Sequence, residues 1–130
     1  MILKSLAACA AVLCLAGAAD AADKVKIGFL STLSGPSAAI GLDIKDAFEL
    51  FIEHNGGKLG GLPAEIVTAD DQQNADTGKQ LAERLLKRDR VDFVTGIVFS
   101  NVMVAVAPAV FESQTFLVSA NSTPSLFSGE

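Results

Sequence analysis

Apolar positions recur along this chain in two alternating rhythms. Four short runs, Lys24 to Leu30, Ala64 to Ala69, Val91 to Val98 and Thr115 to Ser119, are rich in apolar and β-branched residues. Nearly continuous apolar runs of this length are the form taken by parallel strands covered on both faces. Between them the apolar positions return every three or four residues. Ile44, Ala47, Phe48, Phe51 and Ile52 make one helical stripe, and Gly78, Leu81, Ala82, Leu85 and Leu86 make another. Phe48 and Phe51 are expected in the core. A third helix, from about Ser100 to Phe111, is apolar all round and carries Pro108, which should kink or end it.

The punctuation agrees. Asn55-Gly56-Gly57 ends the first helix, since Asn and Gly accept the left-handed conformation of a helix C-terminus. Gly60-Gly61-Leu62-Pro63 turns into the second strand, and Lys87 and Arg88 suit the last turn of the second helix. The order is βαβαβαβ with short connections. Right-handed crossovers then give an α/β fold, a parallel sheet with helices on both faces.

The chain opens differently. Residues 1 to 21 read as a secretory leader: a basic start at Lys4, an apolar run from Leu6 to Ala16, and Ala19-Asp20-Ala21 at the cleavage position. The run is too short to span a bilayer. An exported, soluble mature protein starting at residue 22 is expected, with the periplasm as its location. Leu6-Ala7-Ala8-Cys9 looks like a lipidation box but comes too early, with almost no apolar stretch before the cysteine. At the other end, Thr123 to Glu130 stops in loop-like sequence just after a strand, as a truncated chain would.

Both cysteines, Cys9 and Cys14, belong to the leader, so the mature chain is expected to lack disulfides, a thiol nucleophile and a thiolate metal site. Lys4 and Asp20 leave together, so the net charge of −5 survives cleavage. A mildly acidic surface argues against nucleic acid or anionic membrane as a partner.

Ligands of open parallel sheets collect beyond the carboxyl ends of the strands. Three loops there carry small polar residues: Ser31 to Ser37, Ser100-Asn101, and Ser119 to Thr123. The first two run into helices, whose leading amides are unpaired and partly positive. Hydroxyls and amides together suit a carboxylate or another small polar headgroup, although Ser and Asn also serve as caps and turn formers.

Enzyme motifs are missing. Neither a dinucleotide nor a phosphate-loop glycine pattern occurs, and no nucleophile elbow is present. The lone His54 ends the first helix, where it meets the helix dipole as a solvated side chain. Asp70-Asp71 is the best carboxylate pair, but without a third ligand nearby it reads as a turn and cap. No enzyme, cofactor or metal is expected.

At this point the residues resemble a known group. Lys26-Ile27-Gly28 leading to Leu33-Ser34-Gly35-Pro36 and Gly41 is similar to the opening of the branched-chain amino acid-type solute-binding proteins of ABC importers. So are Asn55-Gly56-Gly57 with Gly60-Gly61, Asp70-Asp71-Gln72, Val91 to Gly96, and Ser119 to Pro124. The similarity covers Lys24 to Glu130.

The resemblance implies a two-lobed periplasmic binding protein of type I that closes around a small solute and presents it to a membrane permease. Residues 22 to 130 would be most of the N-terminal lobe, a monomer, with the second lobe absent. It implies that Ser100 holds the solute's carboxylate, and that Ala120 and Ser122 add backbone groups and a hydroxyl, with Asn121 between them. The usual bulky contact before the glycine of the first loop is here Ile40. That removes a stacking surface and puts the standard amino acid specificity in question. Asn101 and Asn121 add amides suited to an extra polar substituent. Lacking closure, a lone lobe is expected to bind weakly. A ligand-sensing receptor on the same fold and an exported hydrolase are the alternatives, the latter opposed by the missing nucleophile.

Overall fold

The computed structural model describes residues 23 to 127. The leader and the last three residues therefore lie outside the described residues.

Strand β1, Val25–Ser31, is the hub of a five-stranded sheet ordered β2-β3-β1-β4-β5. On one side it pairs in parallel with β3, Leu62–Asp70, from Val25 opposite Ala64 to Ser31 opposite Asp70. On the other it pairs in parallel with β4, Phe93–Thr95, which pairs in turn with β5, Phe116–Val118. A two-residue strand, β2, Lys58–Leu59, adds one antiparallel partner at the far edge, so the sheet is mixed but mostly parallel. The sequence carries no signal for it beyond the Gly60-Gly61 turn. Both glycines have positive φ, which closes the tight hairpin.

Helices cover both faces, as the apolar rhythm predicts. Helices α2, Ala75–Arg84, and α3, Ser100–Glu112, pack together on one face. There Leu30, Ala69 and Val94 from the sheet meet Ala82, Leu85, Val102, Val106 and Val110 in the main core. Strand alternation sends Phe29 to the opposite face, where its ring lies 5.8 Å from that of Phe48 on α1, Ala38–His54. Phe48 is half-buried against that ring, short of the core position expected of it. Phe51 falls further short: it is 53% exposed, because the sheet-facing side of α1 is set by Gly41, Phe48 and Ile52.

Two further expectations change in detail. The run Val91 to Val98 is buried almost throughout, yet only its middle three residues pair as strand. Gly96, at φ +95°, turns the chain out of the ladder, and Ile97 and Val98 pack without strand pairing. Pro108 sits inside α3, which continues to Glu112. The last turn of the second helical run, Leu85–Asp89, widens to π geometry before Arg90 stops it in the left-handed region.

Candidate solute-binding rim

Because β1, β4 and β5 run in parallel as neighbours, the segments after Ser31, Thr95 and Val118 all leave at one edge of the sheet. The three polar loops singled out in the sequence therefore meet at one rim.

The best-defined contact there joins two of them. Ser122 is only 3% exposed, and its Oγ donates to Oγ of Ser100 at 3.2 Å. Ser100 is the first helical residue of α3, and the N-cap position belongs to Phe99, which makes no side-chain cap. The first backbone amide to find an acceptor in the turn is that of Met103, on the Phe99 carbonyl at 3.0 Å. The amides ahead of it face the rim without helical partners, beside two hydroxyls. Ser100 is thus not a cap for its own helix.

The loop after β5 is braced from below. Thr95 Oγ1 donates to the Val118 carbonyl at 2.9 Å, and Asn121 Nδ2 donates to the Val98 carbonyl at 3.0 Å. Ser119 Oγ donates to the carbonyl of Ser122. Ala120 is exposed at the tip. Asn101 Nδ2 reaches the Gln73 carbonyl at 3.1 Å. Both asparagines therefore direct their amide donors at backbone carbonyls, a use that residue type alone does not reveal. Ile40 stands on the first turn of α1 with about half its surface open, 47%.

Under the rim lie the two aspartates, and they part ways. Asp70 Oδ1 accepts from the amides of Leu33 at 2.9 Å and Gln72 at 3.0 Å. Partial burial works against its charge, but the hydroxyl of Ser34 and the amides of Leu33, Gln72 and Ser34 together hold its carboxyl below the usual aspartate range. Asp71 is fully buried and accepts from Thr32 Oγ1 and from the Gln73 amide. Burial pushes its carboxyl up, against those two hydrogen bonds, and the neighbouring Asp70 charge adds to the push. Among the described residues no group of three or more His, Cys, Asp or Glu is placed to hold a metal ion. The pair ties loops together.

A pH dependence follows. Between the ordinary aspartate value of 3.8 and the raised Asp71 value, the folded protein binds more protons than the unfolded chain. Acidification from neutrality through that window is expected to stabilise the fold. Asp70 acts in the opposite sense: its contribution is present above 3.8 and is lost as the pH falls through its lowered value. Urea titrations over a pH series check this. Asp71→Asn is expected to abolish the gain in the upper window and leave the acid loss intact.

Two close approaches set where the helices enter. A Cβ on Gly41 would lie 2.0 Å from the Thr32 carbonyl oxygen, so α1 rests directly on the end of β1. A Cβ on Gly78 would lie 2.7 Å from Cγ1 of Val102, so α2 sits against the first turn of α3. Gly78 falls on the apolar stripe in the sequence, but its steric role shows only once α2 and α3 are packed.

A hollow of about 200 Å³ reaches the rim at Ser119, Ser122 and Thr123. Away from the rim, one of about 490 Å³ overlies Asp92, Phe93, Phe116 and Val118, and one of about 310 Å³ lies between α2 and α3 near Glu83 and Glu112.

Residues 24–130 match the family model described as periplasmic binding protein. The chain belongs to that family. Its sequence is 31% identical over 116 residues to a Leu/Ile/Val-binding protein homolog from Brucella abortus, covering 88% of this chain and 30% of that protein. Among solved structures, it resembles an ABC transporter solute-binding protein from R. palustris in complex with 4-hydroxybenzoate, at 32% identity and a TM-score of 0.73, over 79% of this chain and 28% of the other. A second R. palustris solute-binding protein, in complex with benzoate, gives 30% identity and a TM-score of 0.72, over 75% and 27%. The chain thus spans about 30% of the length of the relatives it matches. The R. palustris proteins are solute-binding proteins of ABC transporters, and His54 is the last residue of α1.

Proposed function

We propose that this chain is the N-terminal lobe, residues 22 to 130, of an extracytoplasmic solute-binding protein. In this reading it captures a small carboxylate and delivers it to the permease of an ABC importer. One observation carries the reading: the paired hydroxyls of Ser100 and Ser122 stand at the uncapped start of a 13-residue helix. Unpaired amides with a partial positive charge and two hydroxyls form a receptor for a carboxylate group. In the same reading the leader exports the protein to the periplasm, where it acts as a monomer.

Within that class we favour an aromatic or aliphatic monocarboxylate. The relatives named above bind 4-hydroxybenzoate and benzoate or carry a Leu/Ile/Val-binding name, and a carboxylate is common to all of these solutes. Ile40 offers an aliphatic surface at the rim, against which either an aliphatic chain or an aromatic ring packs. Asn101 and Asn121 act in this reading as braces for the loops that carry Ser100 and Ser122. Ala120 supplies backbone.

Calorimetry on the full-length protein with benzoate, 4-hydroxybenzoate and isoleucine tests the proposal. At least one is expected to bind, and the corresponding primary amide is expected to bind far more weakly. Ser100→Ala is expected to cost about 1–3 kcal/mol of that binding, as when a buried hydrogen-bonding group loses its partner. An amide binding as tightly as its acid, or unchanged affinity in Ser100→Ala, would remove the carboxylate role.

A further inference from the structure

The most unusual buried group in the fold is one that the carboxylate-binding reading does not use. Asp71 is completely buried, its Oδ1 accepts from Thr32 and Gln73, and its Oδ2 has no partner. A buried carboxylate with one oxygen unsatisfied is a poor way to stabilise a core; a well-packed apolar side chain of similar volume would do better. What the apolar side chain could not do is hold its two donors in place.

Those donors lead in two directions. Thr32 is the residue on which Gly41 of α1 rests, and through it Asp71 reaches the first turn of α1, which carries Ile40. Gln73 follows Gln72 in a turn where both have left-handed backbone, at φ 60° and 54°. Glutamine has no intrinsic liking for that region, so the turn is held by its hydrogen bonds. The Gln72 amide goes to Asp70 and the Gln73 amide to Asp71. The Gln73 carbonyl then receives Nδ2 of Asn101, the second residue of α3. Nearby, the position a Gly78 Cβ would take lies 2.7 Å from Val102 Cγ1 and 3.6 Å from Asp71 Cβ. One buried carboxyl thus stands under both the start of α1 and the start of α3.

We infer that Asp71 is a positioning residue. Through Gln73 and Asn101 it fixes the first turn of α3, and so the direction in which the Ser100 hydroxyl and the open amides beside it face a solute. The inference rests on the solute-binding reading for its consequence, but its structural half stands without any solute. Among the described residues, the other charged group acting on the carboxyl is Asp70, whose own partners lie in the loops after β1 and β3.

Hydrogen exchange read by mass spectrometry on the full-length, solute-free protein tests it. Asp71→Ala and Asn101→Ala are each expected to speed exchange across residues 103 to 106, whose amides bond back to the first turn of α3, by about tenfold, the effect of one lost hydrogen bond on a local opening. Segments covering β1 and β3 serve as the internal reference and are expected to keep their protection in Asn101→Ala. Asp71→Asn, which retains an acceptor oxygen, is expected to restore most of the protection. Unchanged exchange at residues 103 to 106 in Asn101→Ala would overturn the inference, and this exposed position remains informative if Asp71→Ala does not fold. A uniform rise throughout the sheet in Asp71→Ala, with no excess in α3, would also overturn it and make Asp71 a stability residue only. Benzoate titration of the wild type is read separately: failure there counts against the carboxylate reading and leaves the exchange comparison standing.

Discussion

Gly41→Ala is expected to dislodge the first turn of α1 and destabilise the protein by about 3 kcal/mol or more, the upper range for forced overpacking. The added methyl would sit 2.0 Å from the Thr32 carbonyl oxygen, 2.9 Å from its carbonyl carbon and 2.8 Å from Oγ of Ser31. The first two are backbone atoms at the end of the central strand, which pairs with β3 along its whole length, so no flexible neighbour can yield. Ser31 Oγ is buried and without a partner, so shifting it breaks no hydrogen bond, but that shift leaves the clash with the Thr32 backbone in place. Either the helix lifts or β1 loses its last pair. Urea denaturation of Gly41→Ala against wild type measures the loss, and a change below about 1 kcal/mol would show that the helix start gives way easily. The same lift would carry Ile40 off the rim, so any solute affinity should fall with stability.

Phe29→Ala is expected to cost about 3–5 kcal/mol, the usual range for emptying a phenylalanine site in a core. Its ring is 1% exposed and stands between Phe48 of α1 and the backbone at Gly96. Cζ of that ring would lie 3.0 Å from a Gly96 Cβ, so ring and backbone are already in contact. Removing the ring takes the support from beneath residues 96 to 99, the segment that delivers the chain to Ser100. Phe29→Leu, which refills much of the space, should recover more than half of the loss. Equal destabilisation by Leu and Ala in thermal or urea unfolding would mean that the ring's shape, rather than its volume, is what the site requires.

How much of this was legible beforehand depended on whether a residue's neighbours lay close in sequence. The apolar runs around Ile27, Ile66, Val94 and Leu117 marked four strands correctly because strand burial is written in local pattern. The stripe through Phe48 and Ile52 marked α1 for the same reason. It also overreached: Phe51 satisfies the helical spacing, but sheet width decides how much of a helix flank is covered, and that is a tertiary fact. Gly96 shortened β4 through a backbone turn that no spacing rule reveals. At the rim, loop chemistry alone singled out Ser100 and Ser122, and parallel pairing brought them to hydrogen-bond distance. The division of labour between Asp70 and Asp71 stayed hidden because Asp70 ends β3 while Asp71 begins the turn beyond it, and only the packed loops decide which of the two is buried.

The edge position of β5 has a practical consequence. Phe116 and Val118 are 78% and 53% exposed on a strand that, among the described residues, has only β4 beside it. Free backbone groups next to bare aromatic and branched surface make a sticky margin. Mutual repulsion from its five excess negative charges opposes contact between copies at that margin. Purification and storage of this polypeptide by itself therefore belong at neutral or mildly alkaline pH and modest ionic strength, where that repulsion is least screened.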